Sequence, residues 1–290
     1  MKKTLALIGL VLSLAAAGPA VDLSLKLTGG AAFITGGDYN EGINGANAYL
    51  AAFGRNVTGE LSRLELGMDF GAEVVVGLTD RLGVGIGVGY MRFSRSREEV
   101  GYDWDILGLT FHNTDFLEPS VTTIPLTLNV HYSLPLGTIR VGVFGGVGYY
   151  LSKMRVESGF DSDFFGTSSD VVFESSQVGG RFGFQGGLGV EVPMGGNFSF
   201  IVDLVGRVVG LKDIKGDYTR SGTLLGIPYS FSGSDAYYYT EELRFQNVFY
   251  RMNEWVIDAD APSSSAYRDV RHGTFGLSGL SGLAGIRFRF

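Results

Sequence analysis

The chain has 290 residues, no cysteine, and 30 acidic against 23 basic side chains, a formal charge of −7. That excludes a disulfide framework, a thiolate metal site and a lipidated N-terminal cysteine, and argues against a nucleic-acid binder. A hydrophobic fraction of 45 % and a mean hydropathy of +0.17 exclude a disordered chain and leave two options, a large core or a surface facing lipid.

Residues 1–20 read MKKTLALIGLVLSLAAAGPA. Lys2 and Lys3 make a positive start, an apolar run follows to Leu14, and small residues offer cleavage after Ala17 or Ala20. The run is too short to span a bilayer, so this is an export signal peptide preceding a single domain over 21–290. No later stretch reaches 18 apolar residues, so any crossing of a membrane is by strands.

Strict alternation of apolar and polar residues predicts eight strands. The first, about 23–33, sets Leu23, Leu25, Leu27 and Phe33 against Ser24, Lys26 and Thr28. The second, about 64–78, sets Leu64, Leu66, Met68, Phe70, Val74 and Val76 against Glu65, Asp69 and Glu73. The third, about 82–90, alternates Leu82, Val84, Ile86, Val88 and Tyr90 with glycines. The fourth, about 120–134, puts Ile124, Leu126, Leu128 and Val130 opposite Thr127, Asn129 and His131. The fifth, about 139–151, carries Val141, Val143 and Val147 opposite Arg140 and Phe144. The sixth, about 182–192, and the seventh, about 198–208, place Arg181, Glu191, Asp203 and Arg207 on their polar sides. The eighth, about 274–290, ends GIRFRF, with Ile286, Phe288 and Phe290 on one face and Arg287 and Arg289 on the other.

The connections alternate in length. Those at about 36–62, 96–118, 156–176 and 213–272 are long, and those at 79–81, 135–137 and 194–197 are short. An antiparallel meander then collects all long loops at one rim. The expected fold is all-β: a transmembrane antiparallel up-and-down β-barrel of eight strands, with long extracellular loops and short periplasmic turns. Lipid leaves no backbone group unpaired, so the eighth strand must close on the first.

The signal peptide, the stretch IPLTLNVHYSLPLGTIRVGVFGGVGYYLS (124–152) and the terminal GIRFRF resemble the OmpA/OmpX/OmpW-like superfamily of small bacterial outer-membrane β-barrels, the "porin family". The resemblance covers the mature chain. It implies an outer-membrane location and contact with lipid and lipopolysaccharide. It also implies passage through periplasmic chaperones and insertion by the barrel-assembly machinery, with Ile286, Phe288 and Phe290 as the assembly signal. No wall-binding domain after the barrel is expected.

An eight-stranded barrel has an interior that side chains nearly fill. The inward set holds Lys26, Arg140, Arg181, Arg207, Arg287 and Arg289 against Glu65, Asp69, Glu73, Glu191 and Asp203, with His131. This near balance predicts a salt-bridge network plugging the lumen; the alternative is a narrow channel for small solutes. His131-Tyr132-Ser133 resembles a stretch of an outer-membrane lipid A deacylase, but no orienting carboxylate is identifiable, and no residue is assigned as catalytic. Glycine clusters near 85–89 and 186–189 lie in strands without a following helix, so no nucleotide or other cofactor is expected. Asp103/Asp105 and Asp161/Asp163 have the oxygen chemistry of a divalent-cation site, yet a solvated acidic face accounts for them and no metal is assigned. The fourth loop holds Tyr237, Tyr238, Tyr239, Phe245, Phe249, Tyr250 and Trp255. Thr240, Glu241 and Glu242 suggest a helix start there; the other options are strands extending the barrel, or a hairpin making ten. Glu241, Asn247 and Arg251 break the alternation and keep the count at eight. So dense an aromatic loop is where an extracellular ligand or adhesion partner is expected. The expected function is structural and surface-binding, in envelope integrity, adhesion or ligand contact.

Overall fold

A computed structural model describes residues 22–106, 108–163, 167–256, 261 and 263–290. The segment read as signal peptide, and Phe164 and Phe165 of the third loop, lie outside them. In chain order the elements are β1 (Asp22–Ile34), α1 (Asp38–Phe53), β2 (Arg55–Thr58), β3 (Leu66–Gly77), β4 (Leu82–Ser94), β5 (Glu98–Ile106), β6 (Leu109–Leu136), β7 (Ile139–Ser162) and β8 (Thr167–Gly195). There follow β9 (Phe198–Val208), β10 (Gly210–Leu211), β11 (Lys215–Leu224), β12 (Ile227–Phe245), β13 (Val248–Val256), β14 (Tyr267–His272), β15 (Phe275–Gly276) and β16 (Gly279–Arg289).

Eight of these strands form the ring β1-β3-β4-β6-β7-β8-β9-β16, antiparallel at every step. β16 closes it onto β1, with Leu25 opposite Phe288 and Phe33 opposite Leu280. The alternation read from the sequence sorts side chains as expected for eight staves. Met68, Phe70, Val88, Leu128, Phe200 and Leu204 are exposed on the outside, whereas Ser24, Lys26, Asp69, Asn129, Asp203 and Arg207 are buried inside. This is the inverse of a soluble barrel and suits hydrocarbon outside.

The long connections are not loops. β6, β7 and β8 run on past the apolar band, β5 folds back on β6, and β11 to β13 continue the same sheet beyond β8. Thr240, Glu241 and Glu242 lie in the middle of β12, paired to β13 on one side and to β14 on the other. No helix starts there, because cross-strand pairing buries Tyr238, Tyr239, Thr240 and Glu241 more fully than a helix on the surface would. β3 begins at Leu66, so Leu64 does not join the lipid-facing row. It is fully buried above the barrel, its backbone N–H donating to Asn40 Oδ1 at 2.8 Å and its carbonyl accepting from Asn40 Nδ2 at 3.2 Å.

The first long connection contains α1, which the sequence did not announce. Its segment, DYNEGINGANAYLAAF, carries two glycines and little helical patterning. Packing makes the helix: a carbon added at Gly45 would sit 1.8 Å from the Arg251 carbonyl oxygen, so only glycine permits this approach to β13. Asp38 and Glu41 stand in the first turn, where the helix dipole favours carboxylates. Further along, Tyr49 meets the rings of Phe245 and Tyr250, and Phe53 meets Trp104 and Phe245. α1 therefore bridges β5 and the β12–β13 hairpin, which the strand ladder leaves unjoined.

The main apolar core sits at the mouth of the barrel. Met91 and Phe93 of β4, Val121 of β6, and Tyr150 and Met154 of β7 point inward there. Ile34, Leu64, Leu211, Phe275 and Leu277 meet them from above.

Candidate functional site

Below that apolar layer the lumen is filled by paired charge. Lys26 Nζ lies 2.6 Å from Asp203 Oδ2 and 3.9 Å from Glu73 Oε2. Glu73 Oε1 lies 2.9 Å from His131 Nε2 and accepts from Asn129 Nδ2 at 2.7 Å. Asn129 Oδ1 in turn accepts from Gln185 Nε2 at 2.9 Å. Arg207 pairs with Asp69 at 2.7 Å and donates to the Ser281 hydroxyl at 2.5 Å. Nearer the short turns, Arg287 donates to Glu191 at 2.8 Å, and Arg289 binds the same carboxylate and the Ser199 hydroxyl. Phe144 lies beneath the Lys26 ammonium, 5.1 Å from it, and stacks on the His131 ring.

Room for these long side chains comes from glycine. A carbon at Gly85 would lie 2.3 Å from Glu73 Oε1, and one at Gly189 would lie 2.3 Å from Asp203 Oδ1. What space remains includes cavities of about 70, 30 and 50 Å³, large enough for a few waters each.

Of the twelve residues expected to point into the lumen, nine therefore lie in these contacts: Lys26, Asp69, Glu73, His131, Glu191, Asp203, Arg207, Arg287 and Arg289. Arg140 lines the two cavities nearest the short turns. Glu65 pairs with Arg63 just before β3, and Arg181, opposite the inward Tyr150, pairs with Asp213 at the upper rim, above the charged contacts. Both sit at the upper ends of their strands, where the barrel gives way to the extension. The orienting carboxylate missing beside His131 is Glu73, bound at Nε2; among the described residues no hydrogen bond joins Ser133 to that histidine.

A second site lies beyond the apolar layer, between α1 and the extended sheet. It is a cavity of about 360 Å³ walled by Ile43, Leu61, Phe116 and Met252, with Tyr39 and Asp115 among its polar members. The volume and the few polar groups in an apolar wall are those of a small-ligand site. Asp115 accepts from the Tyr102 hydroxyl at 3.2 and 3.3 Å. Burial pushes its carboxyl up to about 6, against the opposing effect of the Tyr102 hydrogen bond. The Tyr39 hydroxyl is buried without a partner among the described residues, and burial raises its pKa. Across the cavity Asn253 accepts from the Tyr238 hydroxyl at 2.6 Å and donates to the Tyr39 carbonyl at 2.9 Å. Residues from seven separate segments meet here, so no sequence motif announces the site.

Ion pairs fasten the helix over this cavity. Burial would raise the Asp38 carboxyl, but hydrogen bonds from Thr274 and Arg271 hold it below the usual range. Arg271 also binds Asp269, which binds Arg251, which binds Glu242. The acidic pair on β5 is engaged by donors. Asp103 takes His112 Nδ1 at 2.9 Å and Asn56 at 2.7 Å, while Asp105 takes Arg55 and the Thr110 hydroxyl. Asp163 accepts from the His112 backbone N–H at 2.8 Å. Among the described residues no group of three or more carboxylate or imidazole side chains is arranged to hold a metal ion.

The family model described as "Outer membrane protein beta-barrel domain" matches residues 4–231. No curated protein matches the sequence. Among solved structures, a major outer membrane protein from Thermus thermophilus aligns with 94 % of this chain and 100 % of its own, at 17 % identity and a TM-score of 0.37. The outer membrane protein OprG from Pseudomonas aeruginosa aligns over 93 % and 96 %, at 11 % identity and a TM-score of 0.35.

Proposed function

We propose, from the premise that this chain belongs to the outer membrane protein beta-barrel domain family, that it is a closed-lumen barrel whose function lies in its extracellular extension: it binds at the cell surface and does not conduct. The observation that carries this is the stacking of two seals of different chemistry. Met91, Phe93, Val121 and Tyr150 are 0 % exposed inside the upper barrel, directly above the paired charges. A conducting path for small solutes needs a wetted wall, and buried apolar side chains offer water nothing to bond. The 360 Å³ cavity above them lies within the extension and suits a small ligand with an apolar body and polar groups to meet Asp115 and Arg220. No residue is proposed as catalytic.

Planar-bilayer recording of the purified full chain tests the proposal. No steady single-channel events are expected across the physiological range of voltage and salt. Uniform unitary currents would overturn it in favour of a small-solute channel.

A further inference from the structure

The β11–β12 hairpin is where the extracellular surface departs furthest from what water and backbone geometry favour. Residues 221–234, SGTLLGIPYSFSGS, hold no charged side chain in a chain of net charge −7. Leu224 pairs with Ile227 across a two-residue turn, Leu225-Gly226, whose φ values are +53° and +77°. Positive φ at both central positions is the type I′ turn, which favours Asn-Gly because a leucine Cβ crowds the left-handed backbone. The adjacent β12–β13 turn has the same geometry and uses Gln246-Asn247. Leu225 is thus disfavoured twice, by its backbone and by its 59 % exposure, and it is flanked by Leu224 at 57 % and Ile227 at 70 %. The tip projects: among the described residues a carbon added at Gly226 meets nothing within 4 Å.

Behind the tip come rings. Tyr229 stacks on Phe231 at 6.0 Å and Phe231 meets Tyr218 edge-on at 6.1 Å. Arg220, exposed, lies directly opposite Phe231 in the ladder, level with these rings, and Asp170 lies opposite Ser221. An aliphatic tip followed by a band in which rings and charges share a level is the order in which side chains partition into the hydrocarbon and the interface of a bilayer. The tip cannot reach the membrane that holds its own barrel. Thr223 pairs with Ser168, and from there β8 runs down to lipid-facing Phe182, roughly 45 Å of strand at ~3.3 Å per residue.

We propose that this hairpin is a lipid-inserting finger: Leu224, Leu225 and Ile227 enter the acyl region of a second, apposed bilayer, with Tyr229 and Phe231 at its headgroup level. Lipid accepts a convex apolar knob without a matching groove, and residues 221–234 carry no charge of their own to desolvate. On the adjoining β7–β8 hairpin exposed Asp161 pairs with Ser168, level with Thr223, and together with exposed Asp163 it holds the insertion shallow and selects an electrically neutral surface over an anionic one.

The test is co-flotation of the full chain, held in lipid nanodiscs, with phosphatidylcholine vesicles. Wild type is expected to float with them, and replacing a third of the lipid by phosphatidylglycerol to weaken the association. Leu225→Asn relieves the turn, so it folds at least as well, and thermal unfolding checks this. It should lower partitioning on the order of tenfold, and Leu225→Asn with Ile227→Ser on the order of a hundredfold. Undiminished flotation of the double variant would overturn the proposal. So would stronger binding to the anionic vesicles, or pairing of wild-type nanodiscs with one another in the absence of vesicles, which would assign the tip to a second copy of the chain.

Discussion

Replacing Arg207 by methionine asks whether the lumen is a dry plug or a wet pore. Asp69 and Arg207 face each other at 2.7 Å with side-chain exposures of 3 % and 7 %. Methionine keeps much of the aliphatic stem and removes the guanidinium, leaving the Asp69 carboxylate buried without its counter-ion. Where water is excluded, losing one partner of such a pair costs about 3–5 kcal/mol. In a water-filled lumen the same pair contributes at most about 1 kcal/mol. The two states of the lumen therefore differ by several-fold in one measurable number. The lost hydrogen bond to Ser281 adds about 1 kcal/mol in either case, but it is lost equally in Asp69→Asn/Arg207→Met and cancels from the coupling. Equilibrium urea unfolding of the reconstituted barrel, followed by tryptophan fluorescence, supplies the four stabilities of the cycle. The expected result is a loss of about 4 kcal/mol for Arg207→Met, with much of it recovered when Asp69 is also neutralised. A single-variant loss below about 1 kcal/mol, or a double variant equal to the sum of the singles, would refute a dry, pair-locked lumen.

Asp115 makes the cavity pH-sensitive. Its folded value of about 6 lies above the ordinary carboxylate value near 4. The unfolded chain therefore releases this proton first as pH rises. The carboxyl costs nothing below pH ~4, and stability falls by up to about 3 kcal/mol between pH ~4 and ~6, then levels off. Asp115→Asn should remove that slope and unfold at a higher temperature than wild type at pH 7; matching pH profiles for the two proteins would count against a buried carboxyl. At α1, Gly45→Ala puts a carbon into the Arg251 carbonyl and should lift the helix from β13 while sparing the barrel. Limited proteolysis of intact cells should then cut between residues 38 and 53, with unchanged heat-modifiability on gels; resistance equal to wild type would contradict the packing.

The barrel was legible because a strand's two faces meet different media. Where lipid meets one face and paired charge the other, period two is enforced residue by residue, as from Leu66 to Val76, and register errors would expose a whole row. Legibility stopped where that contrast stops. Leu64 continues the apolar row in sequence, yet it belongs to a core above the membrane, where apolar side chains face inward as in any water-soluble domain. Arg181 and Glu65 stand apart from the charged contacts for the same reason, both at the upper end of the band, where their partners are Asp213 and Arg63. α1 was invisible because its stability comes from contact with β13 through Gly42 and Gly45, and glycine lowers every local helical signal. The lumen charges could be listed from sequence as a set; who pairs with whom depended on strand stagger, which brings Lys26 to Asp203 over the intervening β16, and Asp69 to Arg207. The cavity had no local signature, since Tyr39, Leu61, Asp115, Ser169 and Met252 come from five separate segments.

The inversion of polarity at the barrel mouth explains why the extension is strand-paired and packed where long connections are usually slack. A barrel with a charged lumen ends in a ring of inward polar groups that water enters freely unless something apolar covers them. Here the ring strands themselves supply the cover by switching their inward residues from Asn129 and Gln185 to Tyr150, Val121, Met91 and Met154 over a short length of strand. Those side chains need partners from above, and α1, β10 and β15 provide them through Tyr39, Leu211 and Phe275. The sheet above the membrane is thus continuous with the barrel in both backbone and core. A surface site built on it inherits the barrel's rigidity, which is the condition for a preformed cavity of about 360 Å³ and a projecting, strained turn to persist so far from the bilayer.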